Sequence, residues 1–378
     1  MWFKMDKIKH FIKRSYGSFN PREVKLRKTL RNDIKFYFAQ GYNKDFRSKF
    51  FDAQRKTWEH LFVSMLNYET GVELGYLNTL FKGFALEPLS LIKGDLCFIP
   101  DSPIVICTVK NNKRYIEQFL PYYRNVGIRK FVFIDNNSTD DTVDYLAKQD
   151  DVILFSAPYS FNGIKKAGWK LQALAYVGLN RWCLWLDSDE FIAYPHMEEV
   201  KIDEYTNYLF GKGIRNVGGF MLDMYPKGAL FAEGTGNSSF LDTHLYFDRY
   251  NSTYKTKVDR LFGGMRARIL DVYVRLDKTP LIYCDEHNIP NGNHSTFPYR
   301  KGLIKNYGCV LKHYKFLSSD IEQYKERASN PNSGYASYEA QKKYLSLIGV
   351  SAYGELSERY DNSSSLKSLK IVRDFLSE

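Results

Sequence analysis

Short apolar runs alternate with amphipathic stretches between residues 104 and 186, and this alternation is the clearest pattern in the chain. Apolar runs of four to eight residues are typical of buried strands, and apolar residues at helical spacing are typical of packed helices. The pattern predicts strands at 104–109, 130–134, 152–155 and 181–186, and helices at 112–126, 141–148 and 163–178. Strands that alternate with helices form parallel sheets, so we predict an α/β fold with a mostly parallel sheet.

The flanking regions are different in character. Residues 1–95 look helical, with amphipathic stretches at 23–40 and 45–67, and the Pro100–Pro103 region resembles a linker. After residue 198 the pattern weakens: we predict a strand at 216–222, irregular structure at 223–300, and a strand or edge segment at 309–316. The predicted organisation is a basic helical extension at 1–99, a sheet domain at 100–318 and a helical tail at 319–378.

Polar residues follow three of the predicted strands. Asn111, Asp135 and Asp187 all stand where a strand ends, and ligands of doubly wound sheets bind at that edge. Asp187 and Asp189 form a D-x-D pair after an apolar run. Carboxylates bind hard divalent cations that also bind diphosphates, so the pair predicts a Mn²⁺ or Mg²⁺ site. The alternative is a solvated turn at the end of a strand.

Positive charge is concentrated at the start of the chain. The net charge is +11, and residues 1–60 contain 16 Lys and Arg against 6 Asp and Glu. Lysines mixed with Trp and Phe suit an anionic membrane surface. Nucleic-acid binding and a solvated helical face are the alternatives, and nucleic acid is not the expected partner. Aromatic residues make up 16% of the chain, which suits stacking against sugars but is equally a matter of overall composition.

The cysteines and the hydropathy indicate a compartment. The chain has five scattered cysteines, without a C-x-x-C motif, which argues against a disulfide framework. No stretch has the ~20 apolar residues that cross a bilayer, and no signal peptide is recognisable. We therefore expect a cytoplasmic protein, with possible peripheral attachment at the inner face of the membrane.

Four motifs resemble a known family. They are Thr108-Val109-Lys110-Asn111, the helix from Tyr115 to Gly127, Asp135-Asn136-Asn137-Ser138-Thr139-Asp140, and Trp185-Leu186-Asp187-Ser188-Asp189-Glu190-Phe191. Together they resemble glycosyltransferase family 2 of the GT-A fold, and most of all the subgroup related to family 92. The resemblance is specific over 104–195 and patchier downstream. It implies a Rossmann-like GT-A domain that uses a nucleotide-sugar donor.

The resemblance also implies roles for individual residues. Those expected to bind the donor nucleotide are Thr108, Lys110, Asn111, Asp135, Asn137 and Asp187. The expected metal ligands are Asp187, Asp189 and His313. Without the resemblance, His313 would be interpreted as a structural histidine.

Basic residues and carboxylates complete the list of candidates. Lys166, Arg266 and Lys315 are candidates for binding the diphosphate, although a lysine on a helix is as often simply solvated. An inverting transferase needs a general base near the acceptor hydroxyl. The candidates are Asp223, which we favour, then Glu233, Asp242 and the Asp285-Glu286 pair. His294 could face the acceptor or lie in a loop.

The sequence thus predicts a metal-dependent, inverting glycosyltransferase. It would move a sugar from a nucleotide diphosphate, UDP-hexose or UDP-N-acetylhexosamine, to a hydroxyl of a glycan or glycolipid such as lipopolysaccharide or capsule. One alternative is a sugar-nucleotide nucleotidyltransferase, although the Gly-rich phosphate loop expected after the first strand is missing. Another is a catalytically silent glycan- or membrane-binding protein that retains the fold.

Overall fold

The computed structural model describes most of the chain. The described residues are 21–41, 49–68, 71–96, 99–232, 239–249, 252–255, 260–292, 294–297, 307–329 and 338–377. Two predictions fall partly or wholly elsewhere: the first 20 residues of the basic arm and Glu233 lie outside these ranges.

Three helices come first, and strands and helices then alternate between residues 104 and 187. The helices are α1 (Pro21–Phe36), α2 (Lys49–Tyr68), α3 (Gly71–Ala85), α4 (Lys113–Val126), α5 (Thr142–Ala147), α6 (Gly163–Val177), α7 (Ile202–Gly211), α8 (Phe240–Thr243), α9 (Met265–Leu270), α10 (Ile321–Ser329) and α11 (Tyr338–Leu345). The strands are β1 (Ser90–Lys93), β2 (Ile104–Val109), β3 (Phe131–Asp135), β4 (Val152–Ser156), β5 (Arg181–Asp187), β6 (Glu190–Ala193), β7 (Asn216–Asp223), β8 (Tyr246–Asp248), β9 (Ser252–Lys255), β10 (Arg260–Gly263), β11 (Val274–Arg275), β12 (Asp277–Cys284), β13 (Ile289–Pro290), β14 (Thr296–Phe297), β15 (Tyr307–His313) and β16 (Ser357–Arg359).

Nine of these strands form the central sheet, in the order β1-β4-β3-β2-β5-β12-β7-β15-β6. Strands β2, β3, β4, β5, β7 and β15 run in one direction, and β1, β12 and β6 run in the other. The predicted α/β class, with a mostly parallel sheet and flanking helices, is confirmed, and the GT-A type stays a prediction. The four strands predicted between 104 and 186 are all present, within one residue at each end.

The sheet is covered on both faces because its side chains alternate. In β2, Val105, Cys107 and Val109 pack in one apolar cluster with α4, α7 and the C-terminal tail. Ile104 and Ile106 pack in the other cluster, with α1, α2, α3 and α6. Side chains of a strand point alternately to opposite faces, so a run that is apolar at every position becomes buried on both. The second cluster also spans the predicted boundary between residues 99 and 100.

Helices α3 and α6 approach closely through two glycines, Gly83 and Gly168. A Cβ atom at Gly168 would lie 2.4 Å from the Leu80 carbonyl oxygen and 2.7 Å from the Phe84 amide nitrogen. A Cβ atom at Gly83 would lie 2.5 Å from the Lys165 carbonyl oxygen. The atoms that a Cβ would meet are backbone atoms in both cases, so a side chain at either glycine would force the two helices apart. The contact helps to fix α6, which precedes the D-x-D strand.

Gly168→Ala should therefore destabilise the protein even though alanine is the better helix former. Overpacking of a close contact typically costs ~1–3 kcal/mol. The matched control is Gly75→Ala in α3, where nothing lies within 4 Å of the added Cβ. That change should raise stability by about 0.5–1 kcal/mol. Urea unfolding of both variants checks the prediction, which is wrong if Gly168→Ala is as stable as Gly75→Ala.

The structure corrects the prediction of irregular structure at 223–300. Strand β12 lies within this range and occupies the middle of the sheet, between β5 and β7. It contains Pro280 and begins with the polar residues Asp277, Lys278 and Thr279, all of which are buried. A proline within a run argues against a central strand, because proline cannot donate a ladder hydrogen bond. Here the pairing with β7 shifts register between Lys278 and Leu281, which accommodates the proline.

The tail is helical in α10 and α11 but not beyond Leu345. Residues 346–377 form turns, strand β16 and a 3₁₀ turn at Ser363–Ser368, whose first residues are capped by the side chain of Asn362. Serine and asparagine favour such caps and turns over helix interiors, which explains the difference from the predicted helical tail. Phe375 packs against Gly308 of β15 and so returns the chain end to the sheet.

Across the ranges listed above, none of the helices combines the length and the apolar character that a bilayer crossing requires.

Candidate functional site

Six strands of the same direction end at one edge of the sheet, and polar residues stand at or directly after their ends. Asp135, Asp187, Asp223 and His313 are the last residues of β3, β5, β7 and β15, and Lys110 directly follows β2. The register brings the ends together, since Thr108 lies opposite Asp187 and His313 lies opposite Asp223. Strand β12 runs the other way and therefore begins at this same edge. The predicted convergence of Asn111, Asp135 and Asp187 at one edge follows from this topology.

Asp187 is surrounded by ammonium groups. Lys166 Nζ of α6 donates to Asp187 Oδ1 at 2.9 Å, and Lys278 Nζ lies 3.5 Å from Oδ2. Lys278 also pairs with the buried carboxylate of Glu190, whose second oxygen accepts the Asp187 amide at 3.0 Å. Burial opposes ionisation of Asp187, but Lys166, Lys278 and Lys170 outweigh it and hold its pKa well below the usual range. Asp187 is thus a carboxylate whose charge is already offset by the chain.

Asp189 faces a different set of partners. Its Oδ2 lies 3.4 Å from His313 Nε2 and 3.6 Å from Lys315 Nζ. His313 in turn donates from Nδ1 to Asp223 Oδ1 at 2.7 Å, because a carboxylate can only accept. Arg266 Nε donates to the other oxygen of Asp223 at 2.9 Å. The buried chain from Arg266 through Asp223 fixes the His313 ring with Nε2 directed at Asp189.

An open cleft of about 200 Å³ runs along this edge. It is lined by Thr108, Val109, Lys110, Asn112, Tyr115, Asn136, Phe161, Lys166, Asp187, Ser188, Asp189, Lys315, Asp320, Gln323, Tyr324 and Arg327. The lining combines three carboxylates, those of Asp187, Asp189 and Asp320, with several cations and two tyrosines. The Thr108 hydroxyl is buried and has no hydrogen-bond partner in the part of the chain that the structure describes. Such a group is costly unless something binds it, so Thr108 indicates a ligand.

The predicted nucleotide residues divide into two sets. Thr108, Lys110 and Asp187 line the cleft. Asn111 and Asp135 instead bind the neighbouring loop: the Asn111 side-chain oxygen accepts from Thr139 N at 2.7 Å, and the Asp135 carboxylate accepts from Ser138 N at 3.2 Å.

Asn111, Asp135 and Asn137 stabilise the loop that follows β3. Asn111 has a φ of 52° and Asn137 a φ of 59°, left-handed values that asparagine tolerates better than most residues. Burial raises the pKa of Asp135, against the hydrogen bonds from Ser138. Asn111, Asp135 and Asn137 thus support the loop next to the cleft and do not line the cleft themselves.

The predicted diphosphate residues also divide. Lys166 and Lys315 line the cleft beside Asp187 and Asp189. Arg266 lies behind His313, where it is buried and pairs with Asp223.

The candidates for the base and the acceptor side fall in other places. Asp223 is buried behind His313. Asp285 follows the end of β12, at the opposite edge of the sheet, and His294 contacts the Asp277 carbonyl oxygen through Nδ1 at 2.6 Å.

The structure adds residues that the sequence reasoning missed. Lys278 and Glu190 form the buried pair beneath Asp187, and Asp320, Gln323 and Arg327 come from the tail to line the cleft. Glu190 stood in the D-x-D-E motif and could have been included on that ground. Lys278 lies in β12, a strand that the sequence did not predict because it contains Pro280. Nothing in the tail sequence distinguishes Asp320 from other acidic residues.

The fit of a divalent cation can be judged from these contacts. Within the described ranges, no group of three or more His, Cys, Asp or Glu side chains is arranged to hold a metal ion. Asp189 and His313 nevertheless fit as two ligands: their facing atoms lie 3.4 Å apart, and the other ring nitrogen of His313 is held by a carboxylate. Metal-binding histidines usually have that second partner. Mg²⁺ sites commonly use one or two protein ligands completed by substrate phosphates.

Comparison with known proteins gives a partial match. No protein family model matches the chain. A glycosyltransferase family 92 protein of Ricinus communis is 29% identical over 93 residues, which are 24% of this chain and 17% of the plant protein. The chain therefore spans less than a fifth of this relative. The crystal structure of HddC from Yersinia pseudotuberculosis covers 62% of this chain and 82% of its own, at 11% identity and a TM-score of 0.26, which is too low to inform on the site. The sequence match agrees with a glycosyltransferase-like chain, and membership of family 92 stays a prediction.

Proposed function

We propose that the protein is a glycosyltransferase that uses a nucleoside diphosphate sugar. One observation carries the proposal: a single cleft contains the D-x-D carboxylates, the ammonium groups of Lys166 and Lys315, and the hydroxyl of Thr108, which has no hydrogen-bond partner among the described residues. A sugar nucleotide has complementary parts, namely a nucleoside with many hydrogen-bonding groups, a diphosphate and a sugar. The similarity to a family 92 glycosyltransferase over 93 residues supports the same class.

The residues of the cleft have distinct tasks in this proposal. Thr108 and Lys110 bind the nucleoside end of the donor, and Lys166 and Lys315 bind the diphosphate. Preorganised cations at the position where leaving-group charge develops stabilise the transition state more than the ground state. Lys166 is held in place by Asp187, so its ammonium group needs little reorganisation.

We further propose that Asp189 and His313 bind Mn²⁺ or Mg²⁺ together with the diphosphate. The bound ion would supply Lewis-acid stabilisation of the departing diphosphate. The reaction proposed is a single inverting displacement from a UDP-hexose or UDP-N-acetylhexosamine.

The acceptor proposed is a hydroxyl of a surface glycan or glycolipid, such as lipopolysaccharide or capsule. A glycolipid acceptor would bring the enzyme to the membrane, where the basic arm could bind anionic lipid. Helix α1 supplies six lysines and arginines to this arm within the described residues.

Binding of a nucleoside diphosphate to the full chain tests the proposal. The free energy of unfolding should rise by about 2.7 kcal/mol when UDP is present at 100 times its Kd. Thermal unfolding with UDP, GDP, CDP or ADP, each with Mn²⁺ or with EDTA, measures this. We expect stabilisation by one or two of the nucleotides and a smaller effect with EDTA. If none of the four changes the unfolding temperature, the proposal is wrong.

A further inference from the structure

The structure argues against Asp223 as the general base. Both of its oxygens are occupied, one by His313 Nδ1 at 2.7 Å and the other by Arg266 Nε at 2.9 Å. Burial disfavours its charge, but Arg266 and His313 more than compensate and lower its pKa to about 2. A buried carboxylate whose two oxygens are both occupied has none left for an acceptor hydroxyl, so it is a poor proton acceptor. Asp223 is better described as the residue that positions His313.

Asp320 is a buried carboxyl group that lines the same cleft. It ends a 3₁₀ turn at Ser318–Asp320, seven residues after His313, and faces the cleft together with Asp189 and Lys315. Two donors fix its orientation, and both use Oδ2: Tyr115 OH at 2.7 Å and Leu317 N at 3.1 Å. Among the described residues, none donates a hydrogen bond to Oδ1. One oxygen is therefore anchored while the other is available to accept a proton.

The surroundings of Asp320 keep its proton affinity in a useful range. Burial, the largest influence, raises its pKa to about 6, against the hydrogen bonds from Tyr115 and Leu317. Of the charged neighbours, Lys315 lowers the pKa and Asp189 raises it. Tyr324 also faces this group, and burial raises the pKa of that phenol well above its usual range, so it stays neutral. A general base works best when its pKa lies near the working pH.

We infer that Asp320 is the general base of the transfer, an assignment that rests on the proposed function. Oδ1 of Asp320 takes the proton of the acceptor hydroxyl as that oxygen attacks the anomeric carbon. The new carbon–oxygen bond forms while the bond to the diphosphate breaks, and the diphosphate leaves with the electron pair. The proton ends on Asp320, and the anomeric configuration is inverted.

The pH dependence of turnover tests this assignment. The assay measures release of the nucleoside diphosphate from whichever UDP- or GDP-sugar the wild-type chain hydrolyses fastest, with water as acceptor. In the wild type, kcat/KM should fall tenfold per pH unit below about 6, because Asp320 becomes protonated. Asp320→Asn should lower kcat ~10²–10⁴-fold and abolish this acid limb, with little change in Kd for the nucleoside diphosphate.

Two further variants separate a base from a structural residue. Tyr115→Phe removes a hydrogen bond that favours the charged carboxylate, so the acid limb should move to higher pH. Glu322→Gln, an exposed residue two positions along the chain, should leave the profile unchanged. The assignment is overturned if Asp320→Asn keeps the acid limb, if the limb does not move in Tyr115→Phe, or if Glu233→Gln loses it instead.

Failure of the proposed function would look different. In that case the wild-type chain would neither bind the four nucleoside diphosphates nor hydrolyse any of the sugar nucleotides. An error in the base assignment alone would leave wild-type binding and hydrolysis intact.

Discussion

Asp189→Asn should remove divalent-dependent binding of the nucleoside diphosphate and with it the transfer activity. Asparagine keeps the size of the side chain but removes the charge that faces His313 and Lys315. Substitutions of residues that only support a metal ligand already cost ~10–100-fold in metal affinity or activity. We expect a loss of at least ~100-fold for this direct ligand, measured by calorimetric titration of UDP in the presence of Mn²⁺.

Asp187→Asn provides the informative contrast. Asp187 is engaged by Lys166 and Lys278, so its loss should weaken diphosphate binding with Mn²⁺ and with EDTA alike. Asp285→Asn, at the opposite edge of the sheet, is the control for a lost carboxylate and should bind as the wild type does. The division of roles between the two aspartates is refuted if Asp187→Asn abolishes the effect of Mn²⁺ on nucleoside diphosphate binding while Asp189→Asn retains it.

Lys278→Met should be among the most destabilising single changes in the sheet. Lys278 is buried between the carboxylates of Glu190 and Asp187, and Glu190 is itself almost fully buried. Removing one partner of a buried pair leaves an uncompensated charge, which typically costs ~3–5 kcal/mol. Urea unfolding followed by circular dichroism measures the change, and Lys325→Met, which breaks an exposed pair, should cost less than ~1 kcal/mol.

The double variant Lys278→Met with Glu190→Gln identifies the cause of that loss. If the cost comes from the unpaired carboxylate, neutralising Glu190 should recover part of the stability lost in the single variant. Additive losses in the double variant would instead mean that Lys278 acts through packing of its aliphatic stem.

The D-x-D strand could be predicted because two strong local signals coincide there. Residues 182–186 of this strand are all apolar, and the first carboxylate, Asp187, follows them directly. The apolar run predicts a buried strand, and the carboxylate directly after it predicts the edge of the sheet at which a polar side chain lies. The same reasoning located β2 and β3, and with them the edge of the sheet where Thr108 and Asp135 lie.

The other half of the site depends on contacts between distant parts of the chain. Asp320 becomes recognisable only when Tyr115 contacts it across 205 positions of sequence. Lys278 enters a central strand whose proline and polar start argue against burial, and only the strands on either side make it a buried residue. Similarly, the sequence predicts Asp223 at the end of a strand, but its ion pairs with His313 and Arg266 form only because β15 and α9 pack beside it. Local patterns do not encode such pairings.

The most direct test of the central claim is release of a nucleoside diphosphate from sugar nucleotides by the purified full chain. UDP- and GDP-linked hexoses and N-acetylhexosamines would be incubated with the protein and Mn²⁺, and the freed nucleotide measured. We expect release from at least one donor by the wild type and loss of that release in Asp189→Asn. No release from any donor, or an equal rate in wild type and Asp189→Asn, would contradict it.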